Sequence, residues 1–202
     1  MSARPQPHLT PEQYLEIDRA SESRNEYYKG RMWAMSGGSY RHAVIIASLS
    51  RALGNALDSG PCGVTSSDVR ICAAADGLYT YPDIMVVCGE PEFADGRTDT
   101  LLNPTLVIEV LSPSTEGYDR GLKFAQYRRI ESLEEYALVS QTEPRVEVFR
   151  RQEGGHWLLS EFVGLEAVAH FNSVDAGVSL ARIYNRIVFD AAEQAPLHPA
   201  DE

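Results

Sequence analysis

Lysine is nearly absent: Lys29 and Lys123 are the only two in 202 residues, beside sixteen arginines. With 18 basic against 29 acidic side chains, the formal net charge is −11 at pH 7. That balance excludes an extended, non-specific nucleic-acid surface, which works by neutralising many phosphates. It leaves room for a local basic patch, and for a site whose acidic groups hold cations that offset substrate charge. Cysteine is scarce too. Cys62, Cys72 and Cys88 are odd in number, lack CxxC spacing and lie in or beside apolar stretches, so they read as buried thiols rather than as a disulfide or zinc ligands. No run of about 18 apolar residues is present, and the opening MSARPQPHLT lacks the apolar segment of a secretory signal, so the cytoplasm is the expected location.

What remains is ordinary globular usage, 44% hydrophobic and 23% charged. The expected organisation is a mobile tail over 1–9, a single domain over 10–190 and a second mobile tail over 191–202. Thr10, Pro11 and Gln13 form a helix start with N-cap, first-turn proline and capping box, predicting a helix to about Arg19. The stretch Glu26–Met35 straddles a Lys29-Gly30 turn and predicts a hairpin. Val44, Ile45, Leu49, Leu53 and Leu57 recur at helical spacing and predict a long helix from Ser39 to about Asp58. Strands are expected at Val64–Ile71, Tyr81–Val87 and Pro104–Leu111. A helix is then expected over Thr115–Ile130, followed by strands at 135–139, 145–150 and 157–163 and a last helix over Leu180–Phe189. The 145–150 strand alternates cleanly, which predicts one wet face. This order gives an α/β (α+β) fold, a mixed sheet flanked by helices with a crossover joining parallel strands.

Two acids interrupt the apolar pattern. Glu109 is the one polar side chain in the run Leu106–Leu111, and Asp83 stands in Tyr81-Pro82-Asp83-Ile84-Met85-Val86-Val87. An unpaired buried carboxylate costs several kcal/mol, so each must be hydrogen-bonded, neutralised or bound to a cation. Facing one cleft, the pair would offer hard oxygen ligands suited to Mg²⁺ or Mn²⁺; singly, each could be a cap or strand-end ion pair. Lys123 is the third candidate, because a compact ammonium can hold a water or a phosphate oxygen as a point charge. Its plain alternative is an exposed i,i+4 pair with Asp119. Arg120, Arg128 and Arg129 form the notable basic cluster, either at a cleft rim or as a solvated face balancing Glu131, Glu134 and Glu135.

Pro82-Asp83, Glu109-Val110-Leu111-Ser112-Pro113-Ser114-Thr115, and then Asp119, Lys123 and Tyr127 resemble the Uma-two family of restriction-endonuclease-like proteins, over about Thr10 to Ile187. The resemblance implies a restriction-endonuclease-like core of the PD-(D/E)XK superfamily. It implies Asp83 and Glu109 as catalytic metal ligands, with Val110 also in the metal set, and Mg²⁺ or Mn²⁺ as cofactor. That superfamily places its lysine two residues after the second acid; Leu111 stands there, so the resemblance implies that Lys123 supplies the amine from the following helix. Glu26, Gly30 and His42 also match positions the family fills. Glu26 would be a further ligand or base, its alternative being a solvated acid beside a turn; His42 would otherwise be a packing or hydrogen-bonding group in the first helical turn.

The function these features imply is metal-dependent endonucleolytic hydrolysis of DNA, leaving a 5′-phosphate, by a possible homodimer. Two rivals stand beside it: a catalytically silent nuclease-fold scaffold for protein interaction, and a metal-dependent hydrolase of small phosphodiesters.

Overall fold

A computed structural model describes residues 8–35, 37–74 and 77–189; most of both expected tails lies outside them. The first helix, α1 (Pro11–Ala20), has the expected capping box: Thr10 accepts from the Gln13 N–H at 3.3 Å, and the Gln13 side chain accepts from the Thr10 N–H at 2.9 Å. Leu9 is tied to the next element through its N–H, which donates to the Gly30 carbonyl at 3.0 Å. That element is the expected hairpin of β1 (Asn25–Tyr28) and β2 (Arg31–Ala34). Its turn residues Lys29 and Gly30 both take positive φ, 47° and 79°, the combination that suits the twist of a tight hairpin. The long helix α2 (Tyr40–Leu57) is capped by Ser39 and buries Ile45, Leu49, Leu53 and Leu57 along one face.

Nine further short strands and two larger ones complete the described sheets. The chain supplies β3 (Cys62–Ser66), β4 (Arg70–Cys72), β5 (Tyr79–Thr80), β6 (Ile84–Cys88), β7 (Thr100–Leu101), β8 (Leu106–Val110), β9 (Glu135–Val139), β10 (Arg145–Arg151), β11 (Trp157–Val163), β12 (Val168–Phe171) and β13 (Ala176–Ser179). The main sheet runs β11-β10-β9-β8-β6-β3, a second sheet runs β2-β1-β5-β4-β7, and β12 pairs with β13. Within the main sheet β8 and β9 are parallel and the other pairs antiparallel. Their crossover passes through α3 (Glu116–Tyr118), a π-helical turn (Asp119–Lys123) and α4 (Phe124–Tyr127). The mixed, helix-flanked sheet expected from element order is therefore present.

Side-chain alternation splits the main sheet into two cores. Ile84, Val86, Leu106, Ile108 and Val110 pack with α2 on one face. Met85, Val87, Val107 and Leu111 pack with Tyr127 and Tyr136 on the other. Glu109, between Ile108 and Val110, shares the parity of Val107 and Leu111, and so faces the crossover helix. With apolar side chains buried on both faces, what discriminates the register of β8 is Glu109, whose carboxylate a one-residue slip would turn into the apolar core under α2.

The structure departs from the sequence reading in several places. The expected strand 64–71 is broken at a turn after Ser66, where the Val69 N–H reaches the Ser66 carbonyl, so β3 joins the main sheet and β4 the second. Strand β6 begins at Ile84, not Tyr81, since Pro82 has no N–H for a ladder; Asp83 thus stands ahead of the strand, where the chain passes between sheets. Neither face of β10 is wet, because Val146 and Val148 pack into the core on one side while on the other Glu147 is buried against Arg120 and Phe149 packs on Phe124. The last helix, α5 (Leu180–Ile183), stops far short of Phe189 as the backbone turns left-handed at Arg186, φ 70°. Cys62 and Cys88, read as thiols, are bonded to each other, since they are direct partners in the β3/β6 register; Cys72 remains a buried thiol. No helix among the described residues is long and apolar enough to cross a membrane.

Candidate active site

Glu26, His42, Asp83, Glu109, Asp119 and Lys123 line one cleft of about 370 Å³, where the two sheets, the start of α2 and the crossover helix meet. Each element delivers its residue for a local reason. The hairpin brings Glu26 from β1, Ser39 fixes the first turn of α2 that carries His42, and the non-pairing Pro82 leaves Asp83 free at the mouth of β6.

Lys123 is buried at 5% exposure and sits among three carboxylates. Its Nζ lies 3.0 Å from Glu109 Oε1, 3.3 Å from Asp119 Oδ1 and 3.4 Å from Glu26 Oε1. The expected i,i+4 contact with Asp119 exists, but in the interior rather than on an exposed face. The same Glu109 oxygen, Oε1, also accepts from the buried Tyr127 hydroxyl at 2.7 Å. Glu26, which a turn-side acid would normally leave in solvent, is buried; it accepts from the Trp33 indole N–H at 3.0 Å and from the Thr80 hydroxyl.

A second group of donors adjoins the first. Asp83 Oδ2 accepts the Val110 N–H at 2.7 Å. His42 Nε2 stands 3.2 Å from the same carboxylate oxygen and 3.1 Å from the Val110 carbonyl. Val110 can offer a ligand only through that carbonyl oxygen. Among the described residues, no three His, Cys, Asp or Glu side chains already close on a single point.

The electrostatics follow from burial and an excess of acid. Desolvation pushes the Glu109 carboxyl upward, Asp83 and Asp119 add to this, and Lys123 opposes it. Desolvation raises Asp119 for the same reason. Burial alone would pull the Lys123 ammonium down, but Glu109, Glu26 and Asp119 outweigh it and hold it well above the ordinary lysine value. Burial likewise works to lower His42, while its hydrogen bond to Asp83, the Asp83 charge and the Val110 carbonyl carry it upward.

The basic cluster does not reach this cleft. Arg120 pairs with Glu116 at 2.8 Å and Glu147 at 2.5 Å, Arg128 lies 4.9 Å over the Phe124 ring, and Arg129 donates to Gln126 at 3.0 Å. The solvated-face alternative fits better: Arg120, Arg128 and Arg129 are exposed together with Glu131 and Glu134, and only Glu135 departs from it, fully buried and accepting from the Asn172 and Ser173 N–H groups. The position after Val110 is closed to a charged residue, because Leu111 packs into the core beside Tyr127. Sequence reasoning gave no role to Tyr127 and none beyond a surface pair to Asp119. The i, i+4, i+8 spacing of 119, 123 and 127 was the available signal, since it places all three toward one side of a helix.

A mixed sheet crossed by a helix, with buried acids gathered where a strand enters it, defines the restriction-endonuclease-like class. The chain belongs to the Uma2 family, described as "Putative restriction endonuclease", which it matches over residues 11–182. It is 36% identical over 185 residues to the Synechocystis sp. protein slr1290, covering 92% of this chain and 96% of that one. A second protein of the same organism, sll1609, is 35% identical over 164 residues, 81% of this chain and 93% of the other. The crystal structure of a "putative nuclease belonging to DUF820" from Anabaena variabilis superposes with a TM-score of 0.71, covering 87% of this chain and 97% of that one. At 18% identity, that likeness is one of fold.

Proposed function

We propose that the chain is a metal-dependent endonuclease that hydrolyses phosphodiester bonds of DNA at this cleft. The observation that carries the reading is the charge balance at one point: four carboxylates, Glu26, Asp83, Glu109 and Asp119, share a cleft with the single ammonium of Lys123. Such an excess costs stability unless a further cation is matched to it. The donors suit Mg²⁺ or Mn²⁺. Asp83, Glu109 and the Val110 carbonyl supply hard oxygens, and the His42 imidazole is a donor that Mn²⁺ tolerates well. Bound there, the ion would supply positive charge to the phosphate and lower the pKa of an attacking water.

The protein's own groups do the rest. Lys123 faces the cleft as a hydrogen-bond donor for a non-bridging phosphate oxygen or for the attacking water. Its position 3.0 Å from Glu109 supports the view that the crossover helix supplies the amine that β8 lacks. Tyr127 acts as a positioning residue, fixing the Glu109 carboxylate, while Glu26 and Asp119 keep the ammonium charged and aimed. Attack forms a bond from the water oxygen to phosphorus and releases the 3′ oxygen as a hydroxyl, leaving a 5′-phosphate.

The test pairs calorimetry with cleavage. Parent protein should bind Mn²⁺ with release of heat, melt at higher temperature in its presence and cut supercoiled plasmid in Mg²⁺ or Mn²⁺. Asp83→Asn should lose all three while melting no lower than the parent in the absence of metal. A parent that neither binds Mn²⁺ nor cuts would sink the proposal. Turnover of a chromogenic phosphodiester with plasmid left intact would transfer it to small esters.

A further inference from the structure

Among the described residues the cleft has no arginine in its lining, and the three arginines nearest Lys123 in sequence make their contacts elsewhere. Gripping a duplex by its phosphates requires several such cations. Binding at this cleft therefore draws on another source, and the wall shows one. Trp33 on β2 is left 36% exposed while lining the cleft. Its ring is not loose. The indole N–H is anchored to Glu26 Oε2 at 3.0 Å, and the ring meets Tyr118 edge-on, with centroids 6.3 Å apart at 74°. A large aromatic surface is thus held rigidly at the opening, one hydrogen bond away from a carboxylate that touches Lys123.

We infer that Trp33 is a stacking platform for an unpaired base, so that the cleft takes single-stranded or locally unpaired nucleic acid rather than intact duplex. The inference rests on the nuclease reading above. Inside a duplex both faces of each base are already stacked; only an unpaired or extruded base has a face to give to an indole. Glu26 bonds the indole and touches the ammonium, so a base seated on Trp33 lies on the same wall of the cleft as Lys123. Stacking supplies affinity without further positive charge, which suits a chain of net charge −11.

The experiment uses tryptophan fluorescence. The other tryptophan, Trp157, packs against Phe124 and Arg151 away from the cleft, so Trp157→Phe leaves Trp33 as sole reporter. In Ca²⁺ buffer, a short oligothymidylate should quench this signal, and the same strand annealed to its complement should do so far more weakly. Affinities of Trp33→Phe and Trp33→Leu, measured with a fluorescently labelled strand, then isolate stacking, since both lose the hydrogen bond to Glu26 and only the first keeps an aromatic face. Trp33→Phe should bind within a few-fold of the parent and Trp33→Leu about ten-fold more weakly or worse; thermal melts would confirm that both fold. Equal losses in the two variants, or duplex bound as tightly as single strand, would overturn this inference and leave the nuclease reading standing. If neither form of DNA binds the parent, both fall.

Discussion

Two charged clusters lie buried in this molecule, and they are built on opposite plans. Under α1, Arg70 is 2% exposed and Asp18 5%, about as deep as Lys123 and Glu109 in the cleft. Asp18 accepts from the Asn25 backbone and side-chain N–H groups at 2.8 and 3.0 Å, from the Tyr81 hydroxyl and from Arg70. Arg70 also reaches Thr100 and Asp99, and Asp99 is shared with Arg19. Asp18 and Arg70 pair one to one in the interior, Arg19 gathers the more exposed Asp99 and Asp95 at the rim, and neither described cavity is lined by the Asp18–Arg70 core. In the cleft, four acids face one ammonium beside open space. Depth of burial is therefore no guide to purpose: the one-to-one Asp18–Arg70 pair closes an interior, whereas the surplus of acid in the open cleft is what the proposed metal site rests on.

On the scale of stability, breaking the balanced knot should cost most. Arg70→Met leaves Asp18 buried without its cation, and urea unfolding should show a loss of about 3–5 kcal/mol; a loss below about 1 kcal/mol would mean that the knot does not anchor α1 to the second sheet. Lys123→Arg comes next. On an exposed face that exchange would be nearly silent, but at 5% exposure the larger guanidinium overfills its site and should cost about 1–3 kcal/mol. Cutting should fall steeply as well, and undiminished plasmid cleavage by this variant would remove Lys123 from the chemistry. Glu109→Gln should move stability by no more than about 1 kcal/mol, in either direction, because it relieves the surplus while keeping shape. The same variant should abolish cleavage; if it cuts like the parent, Glu109 belongs with Asp18 as architecture.

The smallest effect lies at the rim of the knot. Hydrogen bonding to Arg19, with the charges of Arg70 and Arg19, lowers Asp99 to about 2 despite partial burial. A carboxyl with a depressed folded-state value contributes stability above its unfolded value of about 4, and the contribution disappears as pH falls toward 2. Parent and Asp99→Asn should thus differ most near neutrality and converge between about pH 4 and pH 2 in melting curves. The site is more than a third exposed, so the gap should stay within about 1 kcal/mol. A constant gap across that window would assign the stabilisation to packing instead.

The same contrast explains what the sequence made visible. The helices α1 and α2, with a clear period, and the strands β8 and β9, as nearly unbroken apolar runs, were legible because those patterns are local. Strands β4, β5 and β7, of two or three residues each, carry no measurable period, and β12 with β13 is a short pair joined through Asp175 at φ 51°. The Cys62–Cys88 bond depends on β3 lying beside β6, a pairing that spacing along the chain does not reveal. At the site, Asp83, Glu109 and Lys123 stood out by being unlike their neighbours. Arg70 and Asp18 did not, because a charge in a short polar-flanked segment looks exposed until distant partners enclose it. Glu26 was noticed only through family resemblance, and its burial follows from Thr80 and Trp33, which no periodic pattern places beside it.

The π-helical turn at Asp119–Lys123 is a shift of phase written into one helix. A π turn winds one more residue into each hydrogen-bonded ring than an α turn. Glu116 before it and Arg120 within it turn outward to each other, and Arg120 also to Glu147. Those at its end and beyond, Lys123 and Tyr127, are carried round to Glu109. Were the same residues wound as an ordinary α-helix, without the π turn, everything downstream would be carried round by about 100°, the angle of a single α-helical residue. The helix would still cross from β8 to β9, yet its amine and hydroxyl would point away from the acid they serve. In this protein one residue of helical pitch separates a crossover that merely connects two strands from one that also brings an amine and a hydroxyl to Glu109.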